Sequence, residues 1–246
     1  MRINKLLFLL FLLPAVLMSV TACSDDKDDE SEFSDWKNRN DAYFANIRAC
    51  ALDTISRARA TYGSEWEANC QWRTYLSYSL DETIENASTD SIYVRILKRG
   101  NGQESPMGSD SCRIFYQGRL IPTASHATGY VFAYSGQSSI YEDIFDPTIA
   151  TPSTRKATSY VRGLATALMR MHVGDRWRIY IPYPLGYKDS NDNESIPAYS
   201  TLIFDVELVA FYRNGSKVPS WNESSRQCPI SQSTSKDNFC RLPNRK

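Results

Sequence analysis

Apolar positions in this chain follow two different periods. Between residues 36 and about 60, Trp36, Tyr43, Phe44, Ile47, Ala51, Ile55 and Ala58 fall near one stripe, with Arg39, Arg48, Arg57 and Arg59 largely off it. That spacing predicts an amphipathic helix, and Ser34 and Asp35 stand where its cap belongs. Such a stripe most simply packs on a neighbouring domain; a dimerisation helix is the sharper alternative. Residues 62–84 hold Trp66, Trp72, Tyr75 and Tyr78 without a clear period and read as irregular or partly helical. From residue 91 the period becomes two: Ile92, Val94 and Ile96 on one side, Tyr93, Arg95 and Leu97 on the other. This predicts a strand over 91–98, closed by the turn Arg99-Gly100-Asn101-Gly102. Further strands are expected at 111–120, 175–181 and 201–211, each rich in β-branched and aromatic residues. One short helix precedes the third strand, with Val161, Leu164, Ala165, Leu168 and Met169 on one face and Gly174 closing the unit after Met171. A mostly antiparallel sheet with one helix across its face is an α+β architecture.

The N-terminal apolar run belongs to a different class of segment. Arg2 and Lys5 precede apolar residues 6–20, and small residues lead into Cys23, the form of a targeting segment. The run is shorter than the roughly 20 residues a spanning helix needs and Pro14 interrupts it, so a permanent span is the weaker reading. Val20-Thr21-Ala22-Cys23 looks like a lipobox, which would make Cys23 a lipid-bearing N-terminus. The next residues, Ser24-Asp25-Asp26-Lys27-Asp28-Asp29-Glu30-Ser31-Glu32, are too charged to pack and read as a solvated tether. The tether is similar to the acidic ones of surface lipoproteins in some Gram-negative bacteria, which implies a cell-envelope protein lipid-anchored to the outer membrane, with exposure at the cell surface left open. The chain thus divides into a signal peptide (1–22), an acidic tether (23–33), an N-terminal helical region (34–88), the α+β domain (89–213) and a polar tail (214–246) expected to be loosely held from residue 220.

Charge and cysteine content narrow the function. Lys and Arg together number 28, as do Asp and Glu, and no basic cluster stands out, so nucleic acid is not an expected partner. With Cys23 lipidated, Cys50, Cys70, Cys112, Cys228 and Cys240 remain, an odd set in which one thiol stays unpaired. Cys112 lies in an apolar strand pattern and is the expected buried thiol. Cys50 with Cys70, and Cys228 with Cys240, could each close a short loop. No spacing fits a zinc site, and His126 and His172 read as loop or surface residues.

Five motifs in order carry a resemblance. They are Tyr116-Gln117-Gly118 closing a strand, Tyr160-Val161-Arg162-Gly163 entering the helix, Met171-His172-Val173-Gly174-Asp175 leaving it, Ile181-Pro182 with Leu185-Gly186-Tyr187, and the run from Ile196 to Leu208. Together, over residues 91–211, they resemble the FKBP family of peptidyl-prolyl cis-trans isomerases. The resemblance implies an antiparallel sheet wrapped on one short helix, no cofactor or metal, and proline-containing polypeptides as substrates. It implies a pocket in which Tyr116, Phe132, Tyr187 and Phe204 are the catalytic side chains, with Tyr160, Val161, Leu164 and Ile196 also contacting substrate. The Val161 N–H and the Tyr187 hydroxyl would bond the substrate's carbonyls.

Departures from the family pattern bear on catalysis. Phe132-Ala133 stands where the family usually has Phe-Asp; a register on Phe145-Asp146 would restore the pair within an enlarged loop. Leu164 takes the place of the usual tryptophan floor, an aromatic expected near residues 153–155 is missing, and Lys188 replaces the glycine after the pocket tyrosine. Residues 121–158 form a long insertion, either a plain surface loop or a partner-recognition element. The expected function is a prolyl isomerase assisting folding of exported proteins, with reduced activity in view of these departures. The alternatives are a non-catalytic FKBP-like peptide- or protein-binding module, and an envelope interaction protein working through the helix and the insertion.

Overall fold

The computed structural model describes residues 32–81, 83, 87–135, 150–190 and 195–221. The signal peptide, Cys23, Phe145-Asp146, Cys228 and Cys240 lie outside these described residues. From Trp36 onward the elements are helix α1 (Trp36–Tyr62), a short helix α2 (Trp66–Asn69), strands β1 (Trp72–Leu76), β2 (Ser91–Lys98), β3 (Ser111–Arg119), β4 (Val131–Tyr134) and β5 (Ser153–Lys156), helix α3 (Arg162–Leu168), β6 (Arg176–Ile181) and β7 (Leu202–Tyr212). The strands form one antiparallel sheet in the order β1-β2-β6-β7-β3-β4, with β5 also paired to β3.

The period-two patterns decide the two faces of the sheet. Ile92, Val94 and Ile96 of β2, Trp177, Ile179 and Ile181 of β6, and Leu202, Phe204, Val206 and Leu208 of β7 are buried on one face with α3. Residues Gly163 to Leu168 of α3 are all buried, and Thr166, the polar one among them, donates to the Arg162 carbonyl at 2.8 Å and accepts from the Tyr78 N–H at 3.2 Å. Gly163 lets it come close: a Cβ there would lie 2.3 Å from Ile181 Cγ2. On the other face, Tyr93, Tyr180 and Ile203 pack with Phe44 and Ala51 of α1, joined by half-buried Tyr43, Ile47 and Leu52. The helical stripe is therefore spent on this chain's own sheet, as the packing alternative required. Each such side chain, fully buried, contributes ~1.5–3 kcal/mol. Cross-strand partners Arg178 and Asp205 add paired hydrogen bonds of 2.7 and 2.8 Å, and the carboxylate holds the Arg178 guanidinium well above its usual pKa.

Asp175, 5% exposed, accepts hydrogen bonds from the Gly100 N–H at 2.7 Å and the His172 N–H at 2.8 Å. It ties the turn after β2 to the turn after α3, where Gly174 adopts φ 91°.

Four expectations change. Residues 62–84, read as irregular or partly helical, contain β1, so the sheet takes an edge strand from ahead of residue 89. The insertion at 121–158 contains β4 and β5, both paired to β3. Cys50 and Cys70 are free thiols, Cys50 exposed and Cys70 buried among Ile55, Ala58, Trp66 and Trp72, so the bridge between them is not formed. The start of the polar tail is held down: Trp221 meets Phe115 edge to face at 5.9 Å, and Arg113 bonds the Pro219 carbonyl. Cys112 is fully buried as expected, and burial pushes its thiol up to about 12.

Candidate functional site

The aromatic cluster grows from the end of β3. Tyr116 and Gly118 share the α3-facing side, and Gly118 pairs with Phe204 on β7 and Ala133 on β4. The β3–β4 register shifts between Gly118 and Arg119, leaving Phe132 as an extra residue in β4. Phe132 crosses above Gly118: a Cβ at that glycine would lie 2.7 Å from Phe132 Cζ and 2.7 Å from Phe204 Cε1. The absent side chain lets Phe132 meet Phe204 edge to face at 5.5 Å, while Tyr116 lies 6.3 Å from Phe204. Edge-to-face aromatic pairs gain ~0.5–1.5 kcal/mol beyond their burial.

The loop after β6 brings Tyr187 to the same cluster. A short turn of helix at Tyr183–Leu185, with Pro184 inside it, leads through Gly186 to Tyr187, whose ring meets Phe132 edge to face at 6.5 Å. Tyr187 remains 39% exposed. Partial burial, and then the nearby Tyr116 phenol, raise its pKa above the ordinary tyrosine value. Lys188, in the usual glycine position, adopts the left-handed φ of 64° that favours glycine.

The start of α3 closes the third side. Val161 is its N-cap, accepting a bond from the Ala165 N–H at 3.0 Å; its own N–H belongs to the first turn, where such groups lack intrahelical partners. Tyr160 stands edge to face with Tyr116 at 6.3 Å and places its hydroxyl 3.3 Å from Ser153 Oγ. Burial pushes the Tyr160 phenol up to about 12. Leu164, Ile196 and Phe204 lie in the buried cluster on which half-buried Tyr116, Phe132, Tyr160 and Val161 pack.

All the sequence-derived pocket residues thus fall on the α3-facing side of the sheet, and the aromatic ones contact one another. Ala133 stands opposite Gly118. The sequence reading missed Ser153, whose strand it did not foresee, and the spatial role of Gly118, which the Tyr-Gln-Gly motif already contained. A separate groove of about 430 Å³, lined by residues including Arg57, Tyr62, Trp72 and Arg95, contains none of these residues.

Residues 102–209 match the FKBP-type peptidyl-prolyl cis-trans isomerase family. The chain is 35% identical over 124 residues to the macrophage infectivity potentiator of Trypanosoma cruzi, covering 50% of this chain and 54% of that protein. It is 28% identical over 137 residues to the FKBP-type 22 kDa peptidyl-prolyl cis-trans isomerase of Escherichia coli, covering 55% and 57%. A peptidyl-prolyl cis-trans isomerase structure from Pseudomonas syringae aligns at TM-score 0.41 and 20% identity, covering 69% of this chain and 96% of that one. The chain spans about half the length of the curated relatives it matches. The matched segment runs from the turn after β2 into β7 and includes Tyr116, Phe132, Tyr160, Val161, Leu164, Tyr187, Ile196 and Phe204. By the match over residues 102–209, this part of the chain is a domain of the FKBP-type peptidyl-prolyl cis-trans isomerase family.

Proposed function

We propose that this protein is a peptidyl-prolyl cis-trans isomerase acting on exported polypeptides from a lipid anchor at Cys23 in the cell envelope. The observation that carries the isomerase reading is the contact of Phe132 and Phe204 across Gly118, with Tyr116 and Tyr187 beside them. Such a surface suits a prolyl ring. The rotation barrier of roughly 18–20 kcal/mol comes from amide resonance. An apolar pocket disfavours the charge-separated planar amide relative to the twisted one, and positioned donors favour the twisted geometry further. In this reading the Tyr187 hydroxyl and the Val161 N–H are those donors, Phe132 and Phe204 hold the ring, and no proton transfer or covalent intermediate is involved.

Residues 33–246 are expected to accelerate prolyl isomerisation in a peptide assay, with Tyr187→Phe lowering kcat/KM by up to about tenfold, the rate equivalent of ~1.4 kcal/mol. A folded protein with a rate equal to that of buffer would sink the isomerase reading. Ala133 favours a second reading, a binding module that holds proline-containing segments with little turnover. Here Ala133→Asp discriminates: a gain in rate marks a weakened catalyst, and unchanged turnover with retained peptide binding marks a binder.

The anchor rests on the sequence of residues 1–32, with its Val20-Thr21-Ala22-Cys23 motif and acidic tether. Replacing Cys23 by serine is expected to move the chain out of the membrane fraction of expressing cells. Persistence there would refute lipidation as the attachment.

A further inference from the structure

The start of α1 and the segment that follows Ile196 are joined through buried polar side chains. Asn40, 1% exposed, accepts a hydrogen bond from the Thr201 N–H at 2.7 Å and donates to the Trp36 carbonyl at 2.8 Å. The Trp36 indole N–H donates to Ser200 Oγ at 2.9 Å, and the Ser200 hydroxyl donates to the Pro197 carbonyl at 2.5 Å. Lys37 Nζ lies 5.6 Å from the Tyr199 ring centre and 6.0 Å from that of Tyr183, and these two rings meet edge to face at 5.2 Å. The Tyr199 N–H donates to the Lys188 carbonyl at 2.9 Å, and the Lys188 N–H to the Tyr183 carbonyl at 2.9 Å. Both Lys188 and Tyr199 have φ 64°, a conformation that non-glycine residues keep only when their surroundings over-determine it.

We infer that Trp36 and Asn40 are positioning residues for the candidate prolyl site. They fix residues 197–201, and with them Ile196 on one side and, through the Lys188–Tyr199 bond, Tyr187 on the other. Trp36 is itself a core residue whose indole N–H adds the bond to Ser200, but packing alone does not account for Asn40. An apolar residue at position 40 would serve the sheet-facing stripe, whereas a buried asparagine is costly unless its amide is bonded. Its side-chain oxygen is committed to one backbone N–H 161 residues away. A helix outside the matched family segment thereby sets the rim of the pocket. The inference rests on the reading of Tyr187 and Ile196 as substrate contacts.

The test uses the full chain with Asn40→Ala, Trp36→Phe and, as a control one turn further along the same buried stripe, where Phe44 packs on Tyr93, Phe44→Leu. Amide exchange over residues 195–201 and the affinity for a proline-containing peptide are both measured. Asn40→Ala is expected to speed exchange in this segment by about tenfold. Peptide affinity should weaken several-fold, because Ile196 and Tyr187 are then no longer held in the one geometry that grips the peptide. Trp36→Phe should act in the same direction, and Phe44→Leu should lower Tm while leaving both readouts unchanged. Unchanged exchange in Asn40→Ala, faster exchange with unaltered affinity, or an equal effect from Phe44→Leu would each overturn the inference. If the unsubstituted chain binds no such peptide, the prolyl-pocket reading itself falls, and the exchange data keep that result separate from failure of the clamp.

Discussion

A methyl group added at Gly118 would press on Phe132 and Phe204 at 2.7 Å, a distance neither ring can accept without moving. Phe204 is held from both sides, paired with Ile179 on β6 and Gly118 on β3, so Phe132 on the short strand β4 is the ring that must yield. Gly118→Ala is therefore expected to lower stability by ~1–3 kcal/mol, the usual cost of overpacking, and to reduce peptide binding more than global stability implies. Urea unfolding alongside peptide titration checks this; a variant as stable as the parent with the same affinity would show that the two rings do not share that space. Tyr116 and Phe204 were legible because each sits in a motif of fixed order, whereas Phe132 lies in the insertion at 121–158, outside all five motifs. Asn40 was not legible, since a polar residue on an apolar helical stripe reads as an interruption until its partner 161 residues away is known.

Among the elements, legibility followed how much of each strand's pattern is local. Strand β2 alternates, and β3, β6 and β7 are rich enough in β-branched and aromatic residues, for all four to be located within a residue or two. Strand β5 is Ser-Thr-Arg-Lys and β4 is four residues long; both exist because β3 offers a free edge, and pairing of that kind leaves no periodic trace. Strand β1 hides among the aromatics of residues 62–84, yet Tyr75 stacks on Trp177 at 5.9 Å and Trp72 on Tyr180 at 5.8 Å. A fragment beginning at residue 89 would lose both stacks and uncover Tyr93, Tyr180 and Ile203. At ~1.5–3 kcal/mol per buried side chain, that loss is comparable with the whole stability of a domain, roughly 5–15 kcal/mol. Such a fragment is expected to show no cooperative thermal transition, whereas one beginning at residue 33 should. A sharp transition in the shorter fragment would show that α1 and β1 are dispensable to the domain.

For the molecule as a whole, acid and base are evenly matched, 28 against 28, and besides the Cys112 thiol the groups that burial pushes up to about 12 are two phenols, Tyr43 and Tyr160. Tyr43, on α1, is pushed up to about 12 by burial and then by Tyr180, with Arg178 opposing. Tyr160, on the α3 side, is pushed up to about 12 by burial, opposed by its bond to Ser153; Tyr116 and Cys112 add to the rise and Arg155 subtracts. Both ionise near 10 once unfolded. From about pH 10 to about pH 12 the unfolded chain has therefore released protons that the folded chain retains, and stability falls as pH rises through that window. Below pH 10 both contributions are fully present. The urea midpoint should accordingly drop across the window. Tyr43→Phe and Tyr160→Phe should each flatten the slope, and the double variant should flatten it most, because different neighbours act on the two phenols, Tyr180 and Arg178 on one and Ser153, Tyr116, Arg155 and Cys112 on the other. An unchanged slope in both single variants would mean that the buried phenols do not govern alkaline unfolding, and that opening of the sheet begins with another group.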